Sequence, residues 1–228
     1  MSEAPAAPHR RRPALAAMAV AAVLVAAAIG LFVGTRIDDR PASEATPGDA
    51  SVDAGFLRDM QAHHAQAVEM AVLIRDRTID EEVRAVALDI ELTQQQQIGQ
   101  MYGLLASWGL SQTSATPMTW MGTTEDAADP HEMPSGVEMG SDGAMTMPGM
   151  ASEADLQRLA GLRGREAERL FLDLMIDHHR GGLDMAEYAA ANADEEWVRT
   201  LATRIADAQT SEIEALLAML EKRGGPLK

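Results

Sequence analysis

An internal repeat constrains this chain more than any other feature. The segment FLRDMQAHHAQAVEMA (56–71) aligns without a gap to FLDLMIDHHRGGLDMA (171–186), and seven of the sixteen positions are identical. The same offset of 115 residues continues downstream until it pairs Gly109 with Gly224. One register that holds over more than fifty residues indicates duplication, so the fold must accommodate two copies of one unit.

Helical periodicity within each copy predicts an all-α fold. The chain is rich in Ala, Leu, Met, Gln and Glu, and aromatic residues make up only 4% of it, which favours helix over sheet. The pattern Ser152-x-x-Asp155 indicates a capping box before a short extra helix. Two amphipathic hairpins bury their apolar faces most simply against each other, so we expect a four-helix bundle. The predicted helices are 53–75, 80–108, 152–160, 165–191 and 195–223.

Composition divides the chain into successive segments. A basic stretch precedes a long apolar one, a polar stretch with Pro and Gly follows, and a Ser-, Gly- and Met-rich connection separates the two repeats. That connection is long for a bundle and shows no helical period, so we expect a mobile loop that crosses one end of the bundle. The predicted segments are a basic cytoplasmic tail at 1–13, an apolar segment at 14–34, a flexible linker at 35–52 and the bundle at 53–228, which comprises repeat 1 at 53–109, the loop at 110–151 and repeat 2 at 152–228.

The apolar segment 14–34 predicts a single transmembrane helix. Its 21 residues carry no charge, and at helical rise they would extend about 30 Å, the thickness of the hydrocarbon core. Three consecutive arginines at 10–12 precede it, and such a flank stays in the cytoplasm, so the rest of the chain is predicted to be extracytoplasmic. A cleaved signal peptide, giving a secreted product, is the alternative. The length of the segment favours the uncleaved anchor.

Acidic residues dominate the chain after the apolar segment. Residues 1–36 sum to a charge of +3, whereas the remainder holds 15 Lys and Arg against 34 Asp and Glu and sums to −19. Such a surface repels nucleic acid, and no basic stripe with aromatic residues offers a binding face for it. The chain has no cysteine, which excludes disulfides, thiolate catalysis and cysteine-based zinc sites. Any metal site must therefore use His, Met, carboxylates or backbone oxygens.

A His-His pair lies beside the apolar stripe in the first helix of each repeat. On a helical projection of repeat 1, the stripe is centred on Met60, and His63 and His64 flank it on either side. Arg58 and Glu69 fall on the opposite face, which we expect to be in solvent. The equivalent residues of the second pattern are Met175, His178 and His179, with Asp184 on its solvent side. All four histidines should thus lie on or beside the core face, where they need polar partners.

Paired imidazoles with a preceding methionine predict a soft-metal site. Imidazole and thioether ligands favour copper or silver over magnesium or calcium. The alternative is that these histidines are half-buried polar residues and that the methionines only fill the core. A di-iron carboxylate centre needs Glu-x-x-His motifs, and both repeats have Met-x-x-His instead, so no di-iron centre is expected. Met70 lies about 10 Å from His63 along the helix axis, which is too far for the two to share an ion.

The loop 110–151 contains a second set of candidate soft ligands. Seven methionines lie between positions 118 and 150, and the segment MTMPGM at 145–150 holds three of them. We expect methionines in so polar a stretch to lie outside the core, and thioethers suit Cu(I) and Ag(I). A low-complexity tether or a sacrificial target of oxidation is the alternative. The loop candidates are Met145, Met147 and Met150.

The repeated pattern Phe-Leu-x-x-Met-x-x-His-His, followed by Met-Ala, resembles the bacterial domain-of-unknown-function family 305 over about residues 53–224. The resemblance implies a ferritin-like four-helix bundle in an exported or membrane-anchored protein. It also implies copper or silver binding, a property of some family members. The implied ligands are Met60, His63, His64, Met175, His178 and His179, with Met70 and Met185 as weaker ones. Gly181-Gly182 departs from the pattern, and we expect it to loosen or bend the second histidine helix.

These observations predict an extracytoplasmic, membrane-anchored protein that binds or buffers copper or silver and is not an enzyme. Its expected ligand is a copper ion, and its expected partners are the membrane, through 14–34, and either a second copy or a protein that takes over the metal. A structural or partner-binding module of the cell envelope, without metal, is the alternative. A redox enzyme is a third hypothesis, but no catalytic triad, phosphate-binding loop or HExxH motif supports enzymatic chemistry.

Overall fold

Five α-helices account for most of the part of the chain that the computed structural model describes, namely residues 46–121, 138–139 and 145–227. Each helix begins and ends within one residue of its predicted bounds, so the predicted helices are confirmed. The helices are α1 (Val52–Arg75), α2 (Glu81–Ser107), α3 (Glu153–Gly161), α4 (Gly164–Asn192) and α5 (Glu196–Lys222). A 3-10 helix (Thr119–Met121) and the antiparallel strands β1 (Glu138–Met139) and β2 (Met145–Thr146) lie in the loop between the repeats.

Local sequence signals fix several helix ends. The Ser152 hydroxyl accepts a hydrogen bond from the Asp155 amide, and the Asp155 carboxylate accepts one from the Ser152 amide, so the predicted capping box of α3 is confirmed. Gly109 and Gly224 follow the C-terminal ends of α2 and α5 with φ angles of 70° and 92°. Only glycine adopts this left-handed conformation without steric cost, which is why the repeat ends on the same residue type in both copies.

The long helices pack as two hairpins, α1 with α2 and α4 with α5, and α1 also packs against α4. Two apolar clusters form the core. The loop-side cluster joins the N-terminal half of α1 to the C-terminal half of α4, and the α3-side cluster joins the other two halves, so α1 and α4 are antiparallel. The loop-side cluster includes Phe56, Met60, Met101, Met118, Met147, Met185 and Ile205. The α3-side cluster includes Met70, Ile90, Leu159, Phe171, Met175 and Leu216.

Reciprocal acidic contacts hold the two hairpins together. Buried Asp53, in the first turn of α1, accepts hydrogen bonds from the amides of Asp194 (3.1 Å) and Glu195 (2.9 Å), where the second hairpin turns. Buried Glu168, its counterpart in α4 at the offset of 115, accepts a hydrogen bond from the Thr78 hydroxyl (2.5 Å) in the turn of the first hairpin. Glu168 also pairs with the Arg223 guanidinium (3.0 Å). Each hairpin thus caps the turn of the other, which fixes their relative position.

The prediction for the outer face of α1 is correct in one part and wrong in another. Glu69 is exposed, as is Asp184 on α4, as expected. Arg58 is only 5% exposed, so the prediction that it faces solvent is wrong. Its guanidinium donates to the Ser111 carbonyl (2.8 Å) and pairs with the Asp49 carboxylate (2.5 Å). The chain segments on either side of the hairpin fold over Arg58 and supply the acceptors that a buried guanidinium requires.

Two stretches of the loop pack into the bundle. Trp120 lies against Gly55 so closely that a Cβ there would collide with its ring. The Asp59 carboxylate accepts hydrogen bonds from the Met118 amide (2.6 Å) and the Trp120 indole (2.7 Å). Met118 and Met147 are buried in the loop-side cluster, so the expectation that the loop methionines lie outside the core is wrong for these two. The reason is that these long-range polar contacts, which sequence spacing does not reveal, tie the loop to α1.

No helix within residues 46–121 and 145–227 is long and apolar enough to cross a membrane. The predicted transmembrane segment at 14–34 lies outside the described residues, as do His131 and half of the predicted mobile loop. Helix α4 continues through Gly181 and Gly182, which provide close contacts rather than an interruption.

Candidate functional site: a buried histidine layer

A layer of polar side chains separates the two apolar clusters at the middle of the four long helices. Its four histidines are 0–1% exposed, so the sequence-based expectation that both pairs lie in the core is confirmed. The remaining members come from α2 and α5. The histidine layer consists of His63, His64, His178, His179, Gln94, Gln97, Gln209 and Glu212.

His63 and His178 form the centre of this layer. Their rings are 3.8 Å apart between centroids, with planes inclined at 37°. The Nε2 atom of His178 lies 3.0 Å from the His63 carbonyl oxygen, and the Nε2 atom of His63 lies 3.1 Å from the Pro148 carbonyl oxygen. A carbonyl oxygen can only accept, so both Nε2 atoms carry the proton.

His64 and His179 each bond to the second helix of their own hairpin. The Nε2 atom of His64 lies 2.7 Å from the Gln97 side-chain oxygen, and that of His179 lies 2.6 Å from the Glu212 carboxylate. Both acceptors stand 33 residues after their histidine, so the two contacts are equivalent under the repeat. These histidines therefore also carry their proton on Nε2.

All four imidazoles consequently keep Nδ1, the ring nitrogen that is not used in these contacts, buried inside the layer. None of these Nδ1 atoms has a hydrogen-bond partner among the described residues, and the same holds for the side-chain oxygens of Gln94 and Gln209. Six buried polar atoms in this part of the structure thus lack a hydrogen-bond partner. A buried polar group left unpaired costs about 1–3 kcal/mol, so this arrangement calls for a donor or a cation from outside the described chain.

Burial also keeps three of these histidines, His63, His64 and His178, neutral. Desolvation lowers the pKa of His63 to about 4 and that of His64 to about 3. The pKa of His178 lies well below its usual value, first because of burial and then because the other three histidines repel its proton. At neutral pH these rings are therefore unprotonated at Nδ1, the form in which imidazole coordinates a metal.

A short stretch of the loop covers the layer, and we call Met147–Ala151 the strap. The Ala151 amide donates to the Gln66 side-chain oxygen (2.7 Å), and the Gln66 amide group donates back to the Ala151 carbonyl (2.9 Å). Gly181 lies under the strap, where a Cβ would collide with the Pro148 carbonyl. The second glycine of the Gly-Gly pair, Gly182, faces inward: a Cβ there would lie 2.6 Å from the Gln209 oxygen and 3.0 Å from the His63 ring. Both glycines therefore permit close packing at the layer.

The candidate methionine ligands lie on both sides of the histidines. Met60 and Met185 are buried in the loop-side cluster, whereas Met70 and Met175 are buried in the α3-side cluster. Each of Met60 and Met175 precedes its His-His pair by three residues, so its side chain is a neighbour of the first histidine on the helix surface. Of the loop candidates, buried Met147 and half-buried Met150 belong to the strap and pack on the loop-side cluster; the side chain of Met145 is outside the described part.

Comparison with known families places this arrangement in one of them. The family described as "Domain of unknown function (DUF305)" matches residues 53–220, which include both hairpins and the whole histidine layer. This chain belongs to the DUF305 family. The resemblance inferred from the Met-x-x-His-His repeat is therefore confirmed. No curated protein sequence matches the chain.

Solved structures of DUF305 proteins share the fold. One from Streptomyces coelicolor is 41% identical, with a TM-score of 0.67, and the match covers 78% of this chain and 96% of that one. A DUF305 fragment from Deinococcus radiodurans is 30% identical, with a TM-score of 0.58, over 75% of this chain and 96% of the fragment. CopM in its Cu(I)-bound form is 21% identical, with a TM-score of 0.53, over 76% and 98% of the two chains.

Within this DUF305 domain, the described residues contain no group of three or more His, Asp and Glu side chains that could by themselves hold a metal ion. A metal site here would need thioether or amide donors beside the imidazoles. Sequence reasoning also missed Gln97 and Glu212. A polar residue at a core position is the signal that could have indicated Gln97. Gln94 and Gln97 stand between Ile90 and Met101 on the buried stripe of α2.

Proposed function

We propose that this DUF305 protein binds a soft metal ion, Cu(I) or Ag(I), in its histidine layer and holds it as cargo without catalysing a reaction. The observation that carries this proposal is the set of buried Nδ1 atoms without a donor. In metal sites, a ligating histidine usually donates its other ring N–H to a carbonyl or carboxylate, which orients the ring. All four histidines already have such an acceptor at Nε2, and each keeps Nδ1 for an ion.

The donor types support a soft ion. Thioether sulfur and neutral imidazole suit Cu(I) and Ag(I), whereas Mg²⁺ and Ca²⁺ prefer oxygen. Met60 lies in the loop-side cluster and Met175 in the α3-side cluster, and each precedes the first histidine of its own repeat by one helical turn. Each could therefore add a thioether to a site formed by imidazoles. The proposed ligands are therefore mixed, which accords with the absence of an all-His, Asp and Glu group in the described residues.

Relatives give independent support. CopM, which shares the fold, is known in Cu(I)-bound, Cu(II)-bound and silver-bound forms. The identity of 20–21% is too low to transfer ligands residue by residue. It supports the proposal that the bundle itself is suited to soft metal ions.

The four histidines are almost completely buried, and the strap covers His63. The ion would therefore have to pass the strap. A surface cavity of about 370 Å³ lies beside it, lined in part by Gln61, Ala62, Gln112 and Met147. Met147 thus reaches both this cavity and the loop-side cluster. The proposed access route lies here: the Met147 thioether, which lines this cavity, receives the ion, and movement of the strap gives the ion access to His63.

Anaerobic titration of the purified protein with Cu(I), against a competing chelator, tests the proposal. The variant replaces all four layer histidines with Gln, and the matched control replaces the other two histidines of the sequence, His9 and His131, with Gln. We expect the control to bind like the wild type and the layer variant to lose more affinity than the roughly 10–100-fold that replacement of an outer-shell partner costs. Circular dichroism verifies that the variant remains helical.

A packing role for the histidines makes the opposite prediction. If the wild type binds no Cu(I) above background, or if the folded layer variant binds as tightly as the wild type, the layer is not the metal site. Loss of binding on replacement of Met145, Met147 and Met150 alone would move the site to the loop.

We further propose that the domain is extracytoplasmic and that residues 14–34 anchor it in the membrane. The support is the uncharged length of this segment and its preceding arginines. The Streptomyces coelicolor relative is provisionally described as secreted. Mass spectrometry of the protein isolated from membranes tests the anchor: an intact N-terminal segment supports it, and a mature chain that begins after residue 34 in the soluble fraction contradicts it.

A further inference from the structure

The two hairpins give equivalent histidines chemically different acceptors. His64 donates to the neutral amide of Gln97, and His179 donates to the carboxylate of Glu212, at nearly equal distances of 2.7 and 2.6 Å. The histidines are equally buried, and the acceptors occupy the same repeat position. A single substitution between the repeats, amide for carboxylate, is therefore the main difference between these two contacts.

This difference changes the ligand strength of the histidine. An N–H group that donates to a carboxylate forms a charge-assisted hydrogen bond, which is stronger than a bond to an amide. Such a partner raises the basicity of the opposite ring nitrogen toward a metal. The Nδ1 atom of His179 is thus a better donor than that of His64, although both rings have the same exposure.

The carboxylate also places a negative charge beside the layer. The attraction between this charge and a bound ion is proportional to the charge of the ion, so a dication gains twice what a monocation gains at the same distance. The Glu212 side chain is only 18% exposed and its partner ring is buried, so solvent and salt screen this attraction less than at the surface. The equivalent acceptor in the first hairpin, Gln97, is a neutral amide and supplies no such charge.

We propose that Glu212, acting through His179, sets the preference of the histidine layer between copper oxidation states: it strengthens binding of Cu(II) relative to Cu(I), and Gln97 leaves the first-hairpin half more selective for the monocation. Glu212 is thus a positioning residue and a determinant of ion specificity, not a ligand. The inference rests on the proposed function, and it concerns binding preference only, with no electron transfer by the protein.

The test measures Cu(II) and Cu(I) affinities of the full chain with competing chelators, Cu(I) under anaerobic conditions. Glu212→Gln keeps a side-chain oxygen as acceptor and removes the charge. We expect Cu(II) affinity to fall about tenfold and Cu(I) affinity about threefold, because the monocation gains half the attraction that the dication gains. The resulting change of about threefold in the ratio of Cu(II) to Cu(I) affinity raises the reduction potential of bound copper by about 30 mV.

The repeat supplies a rescue and a control. Gln97→Glu should shift the ratio toward Cu(II), and the double variant with Gln97→Glu and Glu212→Gln should restore it, because the charge then stands at the equivalent position. Glu214→Gln makes the same change in net charge on the exposed face of α5 and should alter neither affinity. The electron paramagnetic resonance spectrum of bound Cu(II) should change in Glu212→Gln and not in Glu214→Gln.

The outcomes separate this inference from the proposed function. If Glu212→Gln weakens both ions equally, or if Glu214→Gln has the same effect, Glu212 does not set the preference, although the layer still binds metal. If the wild type binds neither ion, the proposed function fails and the inference fails with it.

Discussion

The two hairpins hold their histidine pairs in equivalent positions and surround them differently. In the first hairpin, His63 bonds to the strap and His64 to an amide; in the second, His178 bonds to the backbone of α1 and His179 to a carboxylate. The caps of Asp53 and Glu168, by contrast, occupy equivalent positions and both bind the turn of the opposite hairpin, although their donors differ. The positions of the contacts that join the hairpins are thus preserved between the two copies, whereas the surroundings of the histidines, where we propose that an ion is held, differ.

The largest expected effect is a loss of stability as the pH falls, which follows if both hairpins contribute neutral, buried histidines. Unfolded histidine has a pKa near 6.5, whereas burial lowers the pKa of His63 to about 4 and of His64 to about 3, and that of His178 also falls. As pH falls below 6.5, the unfolded chain takes up protons that the folded chain does not, so stability decreases. We expect a loss on the order of 1 kcal/mol per pH unit for each histidine, from pH 6.5 down to about 4.

Urea unfolding between pH 7 and pH 4.5 measures this slope. His64→Gln removes one titrating ring, and the new Gln can still donate to Gln97. The slope of the free energy of unfolding against pH should therefore be smaller in this variant by the contribution of about one proton. An unchanged slope in this variant would mean that His64 is not buried in its neutral form.

A second prediction compares the caps that join the hairpins. Glu168→Ala should cost about 3 kcal/mol, because it leaves Thr78 without its acceptor and the buried guanidinium of Arg223 with fewer partners. Asp53→Ala should cost about 2 kcal/mol, because the two amides it caps lie near solvent. Chemical denaturation compares both with exposed Glu166→Ala, which should have little effect. If both caps behaved like the control, the reciprocal contacts would not hold the hairpins together.

The helices were predictable from sequence because their signals are local. Apolar periodicity, the Ser152 capping box and the terminal glycines fixed their bounds, and the apolar stripe correctly placed the histidines in the core. The prediction failed where distant segments meet. No local sequence pattern around Arg58 indicates that its guanidinium bonds to Asp49 and Ser111.

The histidines of the site were predictable from the sequence, but the groups that accept their hydrogen bonds were not, for a related reason. Gln97 and Glu212 differ between the repeats, so the identities that reveal the duplication do not mark them as the acceptors of the histidines. The strap could not be predicted either, because its contact with His63 spans 85 residues and involves a backbone carbonyl that any residue could supply.

A third prediction concerns the contact between the strap and Gly181 of the second hairpin. Gly181→Ala would drive a Cβ into the Pro148 carbonyl and displace the strap from α4. We expect a loss of about 1–3 kcal/mol and faster hydrogen exchange at Met150 and Ala151. Gly99→Ala, on an open helical surface, is the matched control and should stabilise the protein by about 0.5–1 kcal/mol. Equal stabilisation by both changes would show that the strap does not lie on Gly181.

The smallest expected effect concerns the layer itself, where Gly182 stands in place of Ala67. Gly182→Ala should cost about 1 kcal/mol net, because crowding against Gln209 and His63 outweighs the gain in helix propensity. The reverse change, Ala67→Gly, should cost a similar amount through propensity alone. The two differ in metal binding: only Gly182→Ala should weaken Cu(I) affinity. Equal affinities would place the ion away from this side of the layer.

The most direct test of the account is nitrogen-15 NMR of histidine-labelled protein as Cu(I) is added anaerobically. If the layer binds the ion, one or more of the Nδ1 resonances of His63, His64, His178 and His179 should shift, while the Nε2 atoms of all four stay protonated. Shifts confined to histidines outside the layer, or loss of the Nε2 protons on loading, would contradict it.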